Sequence, residues 1–448
     1  MNRMSAFQEM LSSLISRGAR LVDFSQFPTP ANDGLEPMCK ALMSTRGEAS
    51  GVAMATEILS RFRGLDDEAR ERFFLVLARD FDPDPATAQA AADAYAQEQS
   101  PENLAALIAA AEPPRQELLR RLNAAPGGTA ALVDMRTTLF RLLDKHPDLK
   151  RVDVDFAHLF SSWFNRGFLV LKPIDWASPA YILEKIIAYE AVHEIGDWEE
   201  LRRRLQPPDR RCFAFFHPSM PDEPLIFVEV ALTREVPGSV QDLLSEGRNP
   251  LDAETATTAV FYSISNCQEG LRGVSFGSFL IKQVAEDLMH NLPGLKTFVT
   301  LSPVPGLMNW LRRQAAAEPD GAAAEIVELA DREEWHEDPA ANARLRELLM
   351  PMTARYLVTE KRADGTPVDA VARFHLGNGA VLRQINWLGD LSPRGLARSA
   401  GIMVNYEYVL PDIEANHEAY AERREVKVSR SVRSLLPSQA RAARRKSA

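Results

Sequence analysis

The sequence predicts an α+β protein in which an all-helical N-terminal region precedes a mixed α/β region. As far as about Ser162 the chain is rich in Ala, Leu, Arg and Glu, and apolar residues such as Phe73, Leu77 and Phe81 recur at helical spacing. After Phe164, short apolar runs typical of strands alternate with helical segments. A length of 448 residues with 46% hydrophobic and 25% charged residues is typical of a soluble globular enzyme of two or three domains.

Charge and cysteine content narrow the function classes. The chain has 52 Lys and Arg against 62 Asp and Glu, a net charge of −10, so it lacks the basic composition expected of a nucleic-acid-binding protein. Its three cysteines (Cys39, Cys212 and Cys267) are far apart and form no CxxC pair, which indicates a reducing compartment. No apolar run is long enough for a membrane span, and residues 1–20 do not resemble a secretory signal. We therefore predict a cytoplasmic protein with no nucleic-acid or membrane partner.

The N-terminal region is predicted to be a bundle of helices of ordinary length. Proline or glycine interrupts the helical pattern at 83–85, 101, 113–114 and 126–128, where helices should end or begin. The alanine-dense stretch 86–111 contains Asp, Glu and Tyr, which favours surface helix over low-complexity sequence.

The second region is predicted to hold a sheet with helices between its strands. The runs typical of strands are 167–171, 211–216, 224–232, 258–265, 295–301, 368–374 and 380–387. A helix is predicted over 276–290, and helical segments fill much of the stretch to about residue 349. The segments 211–216 and 224–232 flank a short turn, as adjacent antiparallel strands do.

A glycine-containing loop over 266–275 joins a predicted strand to the helix after it. Such a loop can direct backbone N–H groups at an anion, with Arg272 as a cation, Gly273 and Gly277 allowing close approach, and Ser275 or Ser278 as donors. This arrangement is compatible with a phosphate or pyrophosphate. Ordinary turn chemistry is the alternative, because the spacing matches neither a P-loop nor GxGxxG.

Ser302 ends a predicted strand and precedes Pro303. Two prolines stiffen the segment 301–306, and a residue before proline is held extended, so the Ser302 hydroxyl is pre-organised. The alternative is a turn serine or the N-cap of a helix that includes 307–310.

His375 is the third candidate, interpreted as lying at the end of the strand 368–374 before the turn 377–379. A structural histidine is the alternative. The sequence contains no HxxxH and no carboxylate pair at ligand spacing, so no metal centre is expected. Glu229, Asp390 and the acidic pair 333–334 are interpreted as surface or ion-pair residues.

Four blocks in order along the chain resemble the malonyl-CoA decarboxylase family. They are FFHPSMPDEPLIFVEVALT (215–233), AVFYSISNCQEGLRGVSFGSFLIKQV (259–284), LSPVPG (301–306), and ARFHLGNGAVLRQINW (372–387) with SPRGLARSAGIMVNYEY (392–408). The resemblance covers nearly the whole chain. It implies a helical oligomerisation domain over 1–165 and a catalytic domain over 166–448 with a GNAT acetyltransferase-like fold.

The resemblance also implies a site and a reaction. The family's catalytic serine and histidine fall on Ser302 and His375. Its CoA-binding loop falls on Arg272, Gly273, Val274, Ser275, Phe276, Gly277 and Ser278. The implied reaction converts malonyl-CoA to acetyl-CoA and carbon dioxide through a thioester enolate and needs no metal or organic cofactor. Our hypothesis is that Ser302 orients the malonyl group and accepts a proton, while His375 protonates the enolate.

Two departures from the family pattern bear on these implications. Counted from Arg272, the fourth and sixth loop positions are Ser275 and Gly277, where the generic GNAT loop prefers glycine at both. The chain ends in Lys-Ser-Ala rather than the peroxisomal Ser-Lys-Leu of some members, so that targeting route is unsupported.

Two other functions stay open at this point. One is a GNAT-type acyltransferase that passes the acyl group of acetyl-CoA to an amine, and the other is a catalytically silent acyl-CoA-binding scaffold. The family also implies a homo-oligomer, a dimer or a tetramer. The tail 423–448 carries nine Lys and Arg against one Glu and is interpreted as a solvated terminus.

Overall fold

The computed structural model describes residues 22, 24–27, 35–45, 47–274 and 280–436. These residues form two compact units. We call the first the helical unit: it contains the described residues as far as Val170, together with Phe216–Glu223 and 268–274. We call the second the sheet unit: it contains Leu171–Phe215, Pro224–Cys267 and 280–436. Two short segments from later in the chain therefore belong to the helical unit.

The predicted helical character of the N-terminal region is confirmed. Its helices are α1 (Glu36–Ser44), α2 (Glu48–Arg63), α3 (Asp67–Asp80), α4 (Pro85–Gln97), α5 (Pro101–Ala111), α6 (Pro114–Asn123), α7 (Gly128–Phe140) and α8 (Lys150–Trp163). Short 3₁₀ turns lie at Phe24–Gln26, Pro147–Leu149, Arg166–Phe168 and Glu269–Leu271. Helices α4, α5 and α6 each begin at a proline, because that position needs no amide hydrogen. Phe62, Phe73 and Phe74 pack edge to face in the core, with ring centroids 5.2–5.8 Å apart.

The strands form one eight-stranded mixed sheet, so the α+β prediction is confirmed. They are β1 (Val170–Ile174), β2 (Arg210–His217), β3 (Met220–Thr233), β4 (Thr258–Asn266), β5 (Thr297–Thr300), β6 (Ser302–Pro303), β7 (Val381–Asn386) and β8 (Met403–Glu407). The order is β1-β2-β3-β4-β5-β8-β6, and β7 pairs with β8.

Helices of the sheet unit connect these strands. They are α9 (Ala180–Tyr189), α10 (Trp198–Leu205), α11 (Val240–Leu244), α12 (Leu280–Asn291), α13 (Leu307–Ala317), α14 (Ala322–Ala330), α15 (Pro339–Val358), α16 (Ala370–Gly377), α17 (Pro393–Ser399), α18 (Ile413–Arg423) and α19 (Arg430–Leu435). Further 3₁₀ turns lie at Ala253–Thr255 and Leu410–Asp412. The predicted first turn of the helix over 276–290 and the end of the basic tail, 437–448, lie outside the described residues.

The strands that β5 and β6 pair with determine where the chain places Ser302. Strands β4 and β5 run parallel, and their register ends with Phe261 opposite Thr300. The chain then passes through Leu301, which is fully buried in an apolar cluster that includes Tyr262. Strand β6 follows at once and pairs antiparallel with β8, with Ser302 opposite Val404. Ser302 is thus the first residue of β6, one residue after the end of β5.

The predicted strand at 368–374 is wrong, because residues 370–374 belong to helix α16 and Asp369 is its N-cap. Asp369 caps the helix: its carboxylate accepts the backbone N–H of Ala372 at 2.8 Å. Ala372, His375 and Leu376 are buried at the i, i+3, i+4 spacing of a helix face. Valine and phenylalanine in this segment favour a strand locally, but the aspartate cap and the burial of one helix face outweigh that preference.

Candidate active site

Ser302 is buried, with 5% of its surface exposed, and its hydroxyl faces other side chains rather than a helix end. Side chains alternate along extended chain, so Thr300 and Ser302 project to the same side while Leu301 enters the core. Ser302 Oγ donates a hydrogen bond to Thr300 Oγ1 at 2.8 Å. The residue that caps α13 is Gly306. The N-cap alternative for Ser302 is therefore wrong.

The structure brings His375 to Ser302. The imidazole lies in the last turn of α16 and is 3% exposed. Its Nε2 is 3.1 Å from Ser302 Oγ, and its Nδ1 is 2.8 Å from the hydroxyl of Tyr408. Both predicted catalytic side chains thus lie in one buried hydrogen-bonded chain within the sheet unit.

Two tyrosines hold the imidazole in place. The ring of Tyr406, on β8, stacks on His375 with centroids 4.6 Å apart and planes inclined by 23°. Tyr408, just after β8, provides the hydroxyl at Nδ1. The alternation of residues along a strand brings both to the same ring. Sequence analysis missed both tyrosines, although the Tyr-Glu-Tyr spacing at the end of a predicted family block was a usable signal.

Thr300, also missed from sequence, is fixed from two sides. Its Oγ1 accepts the backbone N–H of Tyr406 at 3.1 Å, and its carbonyl accepts Asn405 Nδ2 at 2.8 Å. Asn405 Oδ1 in turn accepts Asn386 Nδ2 at 2.7 Å. All of these groups are buried, so the acceptor that Ser302 uses has little freedom to move.

Burial makes this site electrically neutral at neutral pH. It lowers the pKa of His375 to about 3, so the imidazole carries a single ring proton. It raises the pKa of Tyr408 well above the usual range, so that hydroxyl keeps its proton. Because Ser302 Oγ donates to Thr300, it can only accept from His375. The arrangement therefore assigns the ring proton to Nε2 and makes Nδ1 the acceptor from Tyr408.

The helix that carries His375 is anchored at its other end. Asp369 is buried, and that burial raises the pKa of its carboxyl group above the ordinary value. Besides capping α16, its Oδ2 accepts the hydroxyl of Tyr356 from α15 at 3.4 Å. The ring of Tyr356 packs on Trp310 with centroids 5.1 Å apart. Residues far from the imidazole thus determine where α16 presents it.

Of the seven loop residues implied for CoA binding, the structure describes Arg272, Gly273 and Val274, which lie in the helical unit. Ser275, Phe276, Gly277 and Ser278 lie outside the described residues. The Arg272 side chain is 63% exposed, and its guanidinium carbon is 4.2 Å from the ring centroid of Phe140. Gly273 has φ +83°, a left-handed conformation that favours glycine. The described part of the loop thus presents an exposed cation on an aromatic support, 3.7 Å from the exposed carboxylate of Glu269.

The remaining sequence candidates take structural positions. The three cysteines are buried free thiols. Glu229 is fully buried and paired with Arg204, whereas the acidic pair 333–334 is exposed, as interpreted. The surface or ion-pair interpretation of Asp390 is wrong, because Asp390 is buried and accepts the backbone N–H of Ser392.

Within the described ranges, no group of three or more His, Cys, Asp and Glu side chains is placed to hold a metal ion. None of the helices in that part of the chain combines the length and apolar character needed to cross a membrane.

Comparisons with known proteins identify the family. Residues 81–164 match the N-terminal domain of malonyl-CoA decarboxylase and residues 167–446 match its C-terminal domain. The mitochondrial malonyl-CoA decarboxylase of Anser anser anser is 36% identical in an alignment that covers 85% of this chain and 83% of the relative.

Solved structures give the same result. The crystal structure of malonyl-CoA decarboxylase from Rhodopseudomonas palustris is 52% identical, with a TM-score of 0.86 over 89% of this chain and 98% of that chain. The one from Agrobacterium vitis is 56% identical, with a TM-score of 0.85 over 90% of this chain and 99% of that chain. With two domain matches over most of its length and relatives of this similarity, the chain belongs to the malonyl-CoA decarboxylase family.

Proposed function

We propose that this protein is a malonyl-CoA decarboxylase that releases carbon dioxide and acetyl-CoA at Ser302 and His375. The observation that carries the proposal is the buried chain of hydrogen bonds from Tyr408 through His375 and Ser302 to Thr300. Family membership supports the substrate, since the similar proteins are named for this activity.

The substrate carries its own electron sink. When the bond to the carboxylate carbon breaks, its electron pair moves into the thioester carbonyl and leaves an enolate. The enzyme must hold that bond perpendicular to the thioester plane, exclude water from the carboxylate, stabilise the oxyanion and deliver one proton to carbon. A buried site with fixed hydrogen-bond donors meets these requirements.

A neutral imidazole suits the last step. Ser302 orients the malonyl group and is the proton-accepting partner, and His375 supplies a proton from Nε2 to the enolate carbon. Tyr408 donates to Nδ1, which keeps the ring proton on the side of Ser302. Burial disfavours the imidazolium, so the imidazole stays neutral at neutral pH. No carboxylate beside the ring is therefore needed to balance a positive charge. The proton given to carbon leaves the imidazole of His375 one proton short, and a proton from solvent restores it before the next turnover.

The loop residues Arg272 to Ser278 are proposed to bind the phosphates of CoA. Arg272 supports this role as an exposed guanidinium held on Phe140. A fixed cation next to a glycine with left-handed backbone allows a phosphate to approach closely.

The test is incubation of the purified protein with malonyl-CoA alone, while acetyl-CoA and carbon dioxide are followed. We expect turnover by the natural sequence and a loss of at least about a hundredfold in Ser302→Ala and in His375→Ala. Turnover that needs an added amine would instead indicate an acyltransferase. Binding of acetyl-CoA without any turnover would indicate a scaffold. Full activity in either variant would contradict the assignment of that residue.

We also propose that the protein forms a homo-oligomer through its helical unit. All residues of α4 and α5 stay at least partly exposed in the described part of the chain, and Leu104 and Ile108 are 41% and 62% exposed. An exposed apolar helical hairpin of this kind is typical of an interface between copies. Light scattering should show a smaller particle for Ile108→Glu, whereas Ser161→Glu, which adds the same charge at an exposed site on α8, should not change the mass.

The cytoplasmic location and the absence of nucleic-acid and membrane partners stay predictions from composition. Three similar relatives, from Anser anser anser, Rattus norvegicus and Mus musculus, are named as mitochondrial. Fractionation of cells that express the protein would test the compartment.

A further inference from the structure

Arg136, on α7, lies beneath the loop that carries Arg272. It is 2% exposed, and its Nη1 donates to the carbonyl oxygens of Gly270 and Arg272 at 3.0 and 3.1 Å. Its Nε donates to Asp153 Oδ1 at 2.7 Å. A single buried guanidinium therefore joins α7, α8 and the loop within the helical unit.

Two more contacts attach the loop to the same helix. A Cβ atom at Gly270 would lie 2.0 Å from the carbonyl oxygen of Val133, so this turn rests directly on the backbone of α7. Phe140 supports the guanidinium of Arg272 at 4.2 Å and that of Arg136 at 4.7 Å. Val133, Arg136 and Phe140 are spaced by three and four residues, so they lie on one face of α7. That face holds the loop at three points.

We propose that Arg136 is a positioning residue that, through the carbonyls of Gly270 and Arg272, sets the affinity of the enzyme for the phosphate-bearing end of CoA. The inference rests on the proposed role of this loop in binding CoA phosphates. Arg136 itself is not expected to touch the substrate. It binds the two carbonyl oxygens, which would otherwise repel an approaching phosphate, and it holds Arg272 on Phe140.

The effect should depend on the part of the substrate that the loop binds. Malonyl-CoA carries the adenosine bisphosphate portion, whereas malonyl-pantetheine lacks it. For Arg136→Lys we expect KM for malonyl-CoA to rise about ten- to a hundredfold, because hydrogen bonds from a charged group to buried carbonyls are lost. We expect kcat, and kcat/KM for malonyl-pantetheine, to stay within about twofold of the natural enzyme, since the reacting groups are unchanged.

Three controls keep the test specific. Arg141→Gln removes a charge from the exposed residue that follows the same helix and should leave KM unchanged. The double variant Arg136→Lys with Arg272→Gln should lose less affinity for malonyl-CoA than the product of the two single losses, because part of the effect of Arg136 passes through the Arg272 side chain. If thermal unfolding shows that Arg136→Lys is not folded, Phe140→Leu serves as a second variant. It removes only the aromatic support and should also raise KM for malonyl-CoA.

Direct binding of adenosine 3′,5′-bisphosphate, measured by calorimetry, separates this inference from the proposed function. Weaker binding of this probe in the folded Arg136 variant supports the inference even if the natural protein decarboxylates neither thioester. The inference is overturned if binding of the bisphosphate is unchanged. It is also overturned if turnover of malonyl-pantetheine falls by the same factor as that of malonyl-CoA.

Discussion

Two of the buried polar networks in the sheet unit differ in whether their side chains carry charge. The first joins Tyr408, His375, Ser302 and Thr300 and is neutral throughout. The second is built on charge: Arg204, 2% exposed, pairs with Glu229 at 3.2 Å and with Glu200 at 2.5 Å. The neutral network can shift protons without creating isolated charges, whereas the charged one connects α10 to β3.

The charged network is also the less completely satisfied of the two. Glu229 is fully buried, and its Oε1 finds no hydrogen-bond partner among the described residues. Burial raises the pKa of Glu229 to about 8 and outweighs the attraction of Arg204. In the neutral network, by contrast, Ser302 Oγ and both ring nitrogens of His375 have partners. Satisfied neutral groups therefore suit proton transfer, whereas a buried guanidinium with several acceptors suits connection between elements.

The largest effect should follow from replacing His375 by Asn. The variant keeps a polar side chain but loses the ring proton, so we expect kcat for malonyl-CoA to fall about 10²- to 10⁴-fold. His158→Gln, at an exposed site on α8, is the matched control. Turnover close to that of the natural sequence in His375→Asn would remove the histidine from the proton-transfer step.

Breaking the charged network should affect stability instead of chemistry. Arg204→Met leaves Glu229 unpaired and the carbonyl of His193 without its donor at 2.7 Å, so we expect unfolding free energy to fall by about 3–5 kcal/mol in urea titrations. The double variant with Glu229→Leu should recover much of this loss. A large fall in kcat of folded Arg204→Met would contradict the separation of the two networks.

A smaller effect on kcat is expected when one hydrogen bond of the neutral network is removed and both Ser302 and His375 are kept. Tyr408→Phe removes the donor to Nδ1 and frees the ring proton to occupy either nitrogen, which should lower kcat by about tenfold, the equivalent of one hydrogen bond. Tyr406→Phe keeps the stacked ring and removes a buried hydroxyl that has no partner among the described residues, so its effect on kcat should be smaller. Equal losses in the two variants would show that the hydroxyl at Nδ1 has no special role.

The smallest effect, per unit of pH, should be a pH dependence of the unfolding free energy. Its sign should be opposite for His375 in the neutral network and Glu229 in the charged one. His375 has a pKa of about 3 when folded and 6.5 as a free side chain, so the unfolded chain takes up the proton first as pH falls. Its contribution to stability is therefore complete above pH 6.5 and is lost towards pH 3. Glu229 has a pKa of about 8 against 4.5, so folding is favoured below pH 4.5 and weakened as pH rises to 8.

Unfolding titrations over this pH range check the signs. A single group contributes a slope of at most about 1.4 kcal/mol per pH unit. His375→Asn should flatten the loss on the acid side, although His193, whose pKa burial lowers to about 4, keeps part of it. Glu229→Gln should flatten the loss on the alkaline side. Parallel pH curves for the natural sequence and both variants would contradict the account.

Much of the fold could be predicted from sequence because its signals are local. Proline at the first position of α4, α5 and α6 marks where these helices begin. Short apolar runs rich in aromatic or β-branched residues indicate β2, β3 and β4 within a few residues of their ends. The helix at 370–377 was missed because its aspartate cap competes with residues that favour a strand, and burial of one face decided between them.

The sequence by itself determined the α+β class, the family, and Ser302 and His375 as candidates, because motif order and local periodicity are properties of the chain. Only the tertiary structure decided how these residues work. It joins Ser302 to a histidine 73 residues away and that histidine to Tyr408, 33 residues further along. It also keeps the imidazole neutral and places Arg136 under a loop more than one hundred residues later. Hydrogen-bond partners and desolvation depend on which distant segments pack together, and no local pattern records that.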